Sequence, residues 1–350
     1  MSMHSAAMRA RTAAHSELGW SVALVVLCCF LFLAAPGKMV NGLLLGCMIA
    51  LGAIGITLIY SILRFAHIAH GDYMTLGAYV TLFLLTVALP ALGIEGTGFG
   101  PFTFGYPLLI ALPITILVCC AVAIALDYSV YERLRERGSG LVTLSMVSLG
   151  IAIAVRGAIQ MLWGTEPLQL PRETRPFYHI DFELALPMGG ALPFEMRVPP
   201  DNIFLGLTTV VLVGALYLFL SRTRIGKAMR ATSDNIDLAR VTGINTTRII
   251  HWTWAIAAAY AAIAGTLIAV SQAQMLPNSG WNTLIPLFAA VTLGGIGKPW
   301  GALVGGLLVG VSTEVSTEWL SPAYKPAVAF GIMLLVLLVR PRGLFGDTDS

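Results

Sequence analysis

The chain has 350 residues, 57% of them hydrophobic and only 11% charged, with a mean hydropathy of +0.82. Soluble domains carry about 25% charged residues, so soluble globular, disordered, collagen-like and disulfide-scaffold proteins are excluded. Twenty-one Lys and Arg against 18 Asp and Glu leave a formal net charge of +3, too balanced for a nucleic-acid binder. At about 20 residues per crossing, the apolar content supplies eight to ten membrane helices.

In chain order, residues 1–17 read as a cytoplasmic tail. Residues 18–36 read as an additional N-terminal membrane helix or signal-like segment, because Arg9 and Arg11 precede an apolar run ending Leu33-Ala34-Ala35. A retained helix is favoured, since the run is longer than a signal core. The main membrane body spans 38–346, with apolar segments at 40–62, 72–90, 107–127, 141–163, 203–221, 249–273, 282–297, 300–319 and 324–340, and 341–350 form a cytoplasmic tail. The segment at 282–297 is short and ends in Gly294-Gly295-Ile296-Gly297, as a half-helix or re-entrant piece would. With the N-terminus in the cytoplasm, 15 Lys and Arg fall on the inner side and five on the outer side, so both termini are expected inside. Five spans followed by five would give halves of opposite orientation, the arrangement of inverted-repeat transporters. The spacings Gly42-x3-Gly46, Gly301-x3-Gly305 and Gly306-x3-Gly310 predict close helix packing. Cys28, Cys29, Cys47, Cys119 and Cys120 lie in apolar runs outside any CxxC pair and read as buried thiols, not metal ligands.

Two loops stand out. The outer loop, 164–202, is rich in Pro, aromatic and acidic residues and reads as an ordered extracytoplasmic cap, a candidate docking surface. The inner loop, 222–248, is basic at its start and carries a short helical stretch from Ser233 to Thr242. Ser233 is its candidate N-cap, Asp234 and Asp237 suit the first turn, and Gly243 is a stop. The string Gly295-Ile296-Gly297-Lys298-Pro299 is not a P-loop: Thr292 stands where the first glycine belongs and Pro299 replaces the hydroxyl residue. The chain is therefore expected to bind no nucleotide or other cofactor and to catalyse no covalent chemistry.

Several strings in order resemble the permease subunits of branched-chain amino acid ABC importers. They are His70-Gly71-Asp72 with Leu76-Gly77-Ala78-Tyr79, Arg230-Ala231-Thr232-Ser233-Asp234-Asn235, Gly243-Ile244-Asn245-Thr246, Leu293-Gly294-Gly295-Ile296-Gly297, Gly301-Ala302-Leu303-Val304-Gly305-Gly306, and Leu337 to Gly346. The resemblance covers about residues 40–346. It implies a bacterial inner-membrane permease working with a second homologous permease, two cytoplasmic ATPases that use the ATP, a periplasmic binding protein and membrane lipid. It further implies that Arg230, Asp234, Asp237, Ala239, Arg240, Gly243 and Asn245 form the ATPase-coupling loop. Urea or short-amide importer permeases are similar and give an alternative solute; a self-sufficient secondary transporter or channel is the alternative of another class. Where the family commonly has Asn-Phe-Ala-His-Gly-Glu, this chain reads His67-Ile68-Ala69-His70-Gly71-Asp72.

Among polar residues, His67 and His70 share a face if that stretch is helical. With Gly71, Asp72, Gly294 and Gly295 they are the candidates for the solute path; Gly71 permits a break in the helix, and no metal site is expected. Arg156, inside a span, is expected to snorkel or pair, with Glu314 and Glu318 as possible partners of it or of Lys325.

Overall fold

The computed structural model describes residues 36–96, 98–100, 102–171, 173, 178–185 and 191–346. The expected segment at 18–36 lies, apart from Pro36, outside the described residues, as do the tail at 1–17 and residues 347–350. The fold is all-α, and the expected apolar segments from 40–62 onward appear as helices. They are α1 (Pro36–Leu63), α2 (His70–Ala91), α3 (Pro107–Glu136), α4 (Leu141–Trp163) and α5 (Asp201–Arg222). After the inner loop, which holds α6 (Arg224–Asp234) and α7 (Ile236–Val241), come α8 (Thr246–Gln272), α9 (Ser279–Gly294), α10 (Pro299–Val315) and α11 (Lys325–Val339). Among the described residues, seven helices are long and apolar enough to cross a membrane, the last counted from Pro322. The helices α9 and α10, at 16 and 17 residues, are shorter, as expected for the first of them.

Burial sorts the helices into two layers. The helices α1 and α8 are enclosed on most of their surface, with α2, α9 and α10 against them. The outer helices α3, α4, α5 and α11 expose large apolar side chains such as Met161 at 87% and Leu338 at 84%. Such faces suit hydrocarbon and not water. The glycine spacings act as expected: Gly42 and Gly46 of α1 lie against the backbone around Gly310 and Leu307 of α10, so the two helices meet backbone to backbone.

Three expectations change in detail. The helix expected to end at 127 continues to Glu136 through a π turn at Asp127–Tyr131, because Asp127 is buried and ion-paired to Arg135 at 2.7 Å rather than solvated. The outer loop adds a small β component to the helical fold. Strand β1 (Leu168–Gln169) pairs with β4 (Gln274–Met275), and β2 (Tyr178–Ala185) forms an antiparallel hairpin with β3 (Ala191–Val198). In the inner loop the cap is Asn235, not Ser233: its Oδ1 accepts from the N–H groups of Asp237 and Leu238, and Ser233 belongs to the last turn of α6. A side-chain amide can thus start a new helix where the chain breaks between α6 and α7. Gly243, at φ +87°, ends α7 as expected. Cys119 is buried, while Cys47 and Cys120 are partly buried.

Candidate functional site

The site begins with a break. Helix α1 stops at Leu63 because Arg64 adopts φ +59°, a left-handed conformation that β-carbon sterics disfavour. The chain then turns back into the bundle. The imidazole of His70, first residue of α2, lies against Gly55, eight residues or about 12 Å before the end of α1. The first turn of α2 therefore lies well inside the span, not near a surface. His67 and His70 do not share a helix face as expected, since 64–69 are non-helical; their rings nevertheless meet at 5.8 Å.

A second break has the same construction. Helix α8 ends at Gln272, Ala273 adopts φ +60°, and α9 starts at Ser279. Arg64 and Ala273 are the two non-glycine residues with positive φ among the described residues. Seven positions after each comes a glycine in the first turn of the new helix, Gly71 and Gly280. These two glycines touch: a Cβ on either would strike the other's carbonyl oxygen. Gly71 thus serves a close crossing and not a hinge within α2.

Helix N-termini inside a membrane carry N–H groups that no water can satisfy. Both are capped from a neighbouring helix. The Ala69 N–H donates to Ser148 Oγ of α4 at 2.9 Å, and the Gly280 N–H donates to Thr75 Oγ1 of α2 at 2.9 Å. Two positive helix ends thus converge on one point within the bundle.

Charge is arranged around that point. Asp72, fully buried in the first turn of α2, receives two hydrogen bonds from Arg156 of α4: Nε to Oδ1 at 2.9 Å and Nη2 to Oδ2 at 3.0 Å. Sequence reasoning considered Glu314 and Glu318 for Arg156 and missed this partner. Glu314 instead pairs with Lys325, as the alternative expectation had it. The Arg156 guanidinium also lies 4.7 Å from the ring centroid of Trp281, the residue after Gly280. One cation therefore joins the starts of both broken helices.

On the other side of α2 the imidazole of His67 is enclosed by Trp254 at 4.9 Å, Tyr73 at 5.2 Å and Tyr131 at 6.1 Å between ring centroids. Neither nitrogen of His67 has a hydrogen-bond partner among the described residues. Below this cage, Asp127 binds Arg135 and approaches His251 Nε2 at 3.5 Å. Trp254, Tyr131 and Asp127 were not singled out from the sequence; an acid at the edge of an apolar run was the available signal for Asp127. Among the described residues no group of three or more His, Cys, Asp or Glu is placed to hold a metal ion. Gly294 and Gly295 lie apart from the crossing, at the turn from α9 into α10. There Gly294 packs on Gly301, and the Leu293 and Gly294 carbonyls accept from the Leu344 and Phe345 N–H groups.

The inner loop forms a second part of the site. Arg230 and Asp234 are exposed on α6, and Asp237 and Arg240 are exposed on α7. Ala239 faces inward at 3% exposure, Gly243 closes the helix, and Asn245 Oδ1 caps α8 by accepting from Arg248 N–H. Leu238 and Val241, missed from the sequence, present apolar surface at 60% and 79% exposure on this polar loop. Their spacing of three residues was the available signal. The loop is fastened to the first break: Arg64 Nη2 donates to the Ser233 carbonyl at 2.7 Å, and Ser233 Oγ donates to the Ser61 carbonyl at 3.1 Å.

The chain is similar in sequence to known proteins. The family model described as "Branched-chain amino acid transport system / permease component" matches residues 38–337. The chain is 31% identical to the high-affinity branched-chain amino acid transport system permease protein LivH of Escherichia coli (strain K12), over 91% of this chain and 97% of LivH. It is 32% identical to the corresponding protein BraD of Pseudomonas aeruginosa, over 89% of this chain and 96% of BraD. It is also 30% identical to LivM of E. coli (strain K12), over 79% and 68% of the two chains. No solved structure matches the chain. Continuous coverage by the family model, with apolar helices throughout the matched region, makes this multi-pass membrane protein a member of the branched-chain amino acid transport system permease family.

Proposed function

We propose that the chain is one permease subunit of an ATP-driven importer for branched-chain amino acids in the bacterial inner membrane, with both termini in the cytoplasm. It works beside a second, homologous permease, two ATPases on the inner face and a periplasmic binding protein at the outer loop. It binds no nucleotide itself. The names of LivH, BraD and LivM support the solute class, and the matches to both LivH and LivM support a two-permease system.

The observation that carries the mechanism is the fastening of the inner loop to the break after α1. An ATPase that seats Leu238 and Val241 in a groove and engages Asp237 and Arg240 moves α6 and α7. Through Arg64 and Ser233 that motion reaches the 64–69 segment and the start of α2, where His67, His70, Gly71 and Asp72 lie. The solute path runs past the crossing of α2 and α9 and out toward the turn at Gly294 and Gly295.

Two measurements test the reading. Calorimetry on the cognate binding protein is expected to show tight binding of leucine, isoleucine or valine; binding of urea in their place overturns the solute assignment. The double change Asp237→Lys with Arg240→Glu is expected to abolish uptake and ATPase pull-down while leaving membrane insertion intact. Normal uptake and pull-down overturn the assignment of the coupling loop.

A further inference from the structure

A cleft of about 550 Å³ opens on the membrane side of the inner loop, between α6, the ends of α1 and α5, and the start of α10. Lys227 and Arg230 line it, and Asp234 is the one carboxylate in its wall. Both cations are exposed, and neither joins an ion pair among the described residues. At the rim Tyr217 of α5 and Trp300 of α10 meet edge to face, 5.3 Å between centroids, each about half exposed. Paired aromatic rings of this kind sit at headgroup level in membrane proteins.

The cleft does not end there. Leu220, Pro299 and Trp300 also line a second groove, whose remaining wall is Ile54, Val213 and Leu216, apolar throughout. It is a shallow apolar margin of about 10 Å³ beside α5, with Ile54 and Leu216 nearly buried behind it. Cations, an aromatic rim and an apolar margin follow one another in the order of a phosphate, a glycerol backbone and an acyl chain. A free anion would use only the cleft, and a water-soluble protein surface would leave the margin uncovered.

We propose that this cleft and its apolar margin hold one acidic glycerophospholipid, with its phosphate at Lys227 and Arg230 and an acyl chain along the lipid-facing side of α5. Basic pockets at the ends of membrane helices recognise such headgroups by charge. The lipid touches α6 and the end of α1 together, at the junction that joins the inner loop to the first break.

The test uses the full chain reconstituted in nanodiscs of phosphatidylglycerol and phosphatidylcholine, then transferred to detergent and weighed by native mass spectrometry. Retention of phosphatidylglycerol over phosphatidylcholine is expected. It should fall about fivefold in Lys227→Gln, which removes one surface cation, and be kept in Lys227→Arg. Equal retention of both lipids overturns the proposal, as does displacement of the lipid by inorganic phosphate, which would mark a simple anion site. A photo-crosslinking residue at position 217 should give adducts of lipid mass; a protein adduct there instead would assign the cleft to a protein interface. Unchanged gel-filtration profiles for the exposed Lys227 variants separate lost binding from lost folding.

Discussion

The segment joining α1 to α2 and the segment joining α8 to α9 share a construction and differ in what they are fastened to. Each begins with a left-handed residue after a long enclosed helix, and each reaches a glycine seven positions later. Each also starts a new helix whose exposed N–H groups are met by a hydroxyl from a neighbour. The first is tied through Arg64 and Ser233 to the inner loop. The second is tied through the pairing of β4 with β1 to the outer loop, where Leu170 N–H also donates to the Ala273 carbonyl at 3.3 Å. One crossing therefore has a handle at each end of the bundle. On the proposed transport reading, the two loops would act on the same pair of helix starts without touching each other.

The comparison can be broken most severely at its shared charge. Asp72→Asn leaves Arg156 without its anion and is expected to cost about 3 kcal/mol, read as a lower thermal midpoint of the purified chain. Adding Arg156→Gln should recover part of that loss. A double variant no more stable than Asp72→Asn would show that the pair is not a unit. Next comes the crossing itself: Gly280→Ala, with its methyl aimed at the Gly71 carbonyl, is expected to destabilise by about 2 kcal/mol, and Gly71→Ala by a similar amount. A large asymmetry between the two would mean that the helices can part at one start and not at the other.

Smaller effects sharpen the difference between the breaks. Ser148→Ala and Thr75→Val each remove one cap and should each cost about 1–2 kcal/mol. Hydrogen exchange should then quicken at Ala69 in the first variant and at Gly280 in the second, without crossover. The least destabilising change is at a handle. Arg64→Ala removes an exposed bond worth about 1 kcal/mol, yet it should uncouple ATP hydrolysis from uptake in the reconstituted system. Full coupling in that variant would cut the proposed route from the inner loop to the first break.

How far the sequence reached follows from the kind of signal each feature leaves. Apolar runs fix membrane helices because length and hydropathy suffice, and so α1 to α5 and α8 to α11 were legible apart from the extension of α3, whereas the polar helix α6 was not. Glycine spacings pointed to close helix packing, because backbone approach needs only small residues, but they could not name α1 and α10 as the partners. The breaks were not legible. Arg64 and Ala273 are ordinary residues whose left-handed backbone is imposed by the packing around them, and the two seven-residue steps share no string beyond the terminal glycine. The Asp72–Arg156 pair joins residues 84 apart in sequence, which local spacing cannot reveal. The cap at Asn235 was misplaced by two residues because Ser233 is equally good capping chemistry, and only its place in the last turn of α6 takes it out of contention.

The contact between Gly71 and Gly280 has a mechanical consequence. Two backbones in direct contact, with no side chains between them, have nothing to compress or repack, so the helices can rotate about that point but cannot slide through it. It acts as a pivot. Spin labels on the inner and outer loops should report large, opposed changes in distance during a transport cycle, whereas labels one turn from the glycines should report almost none. A tighter or looser lever can then evolve by altering either loop, while the point about which it turns stays where it is.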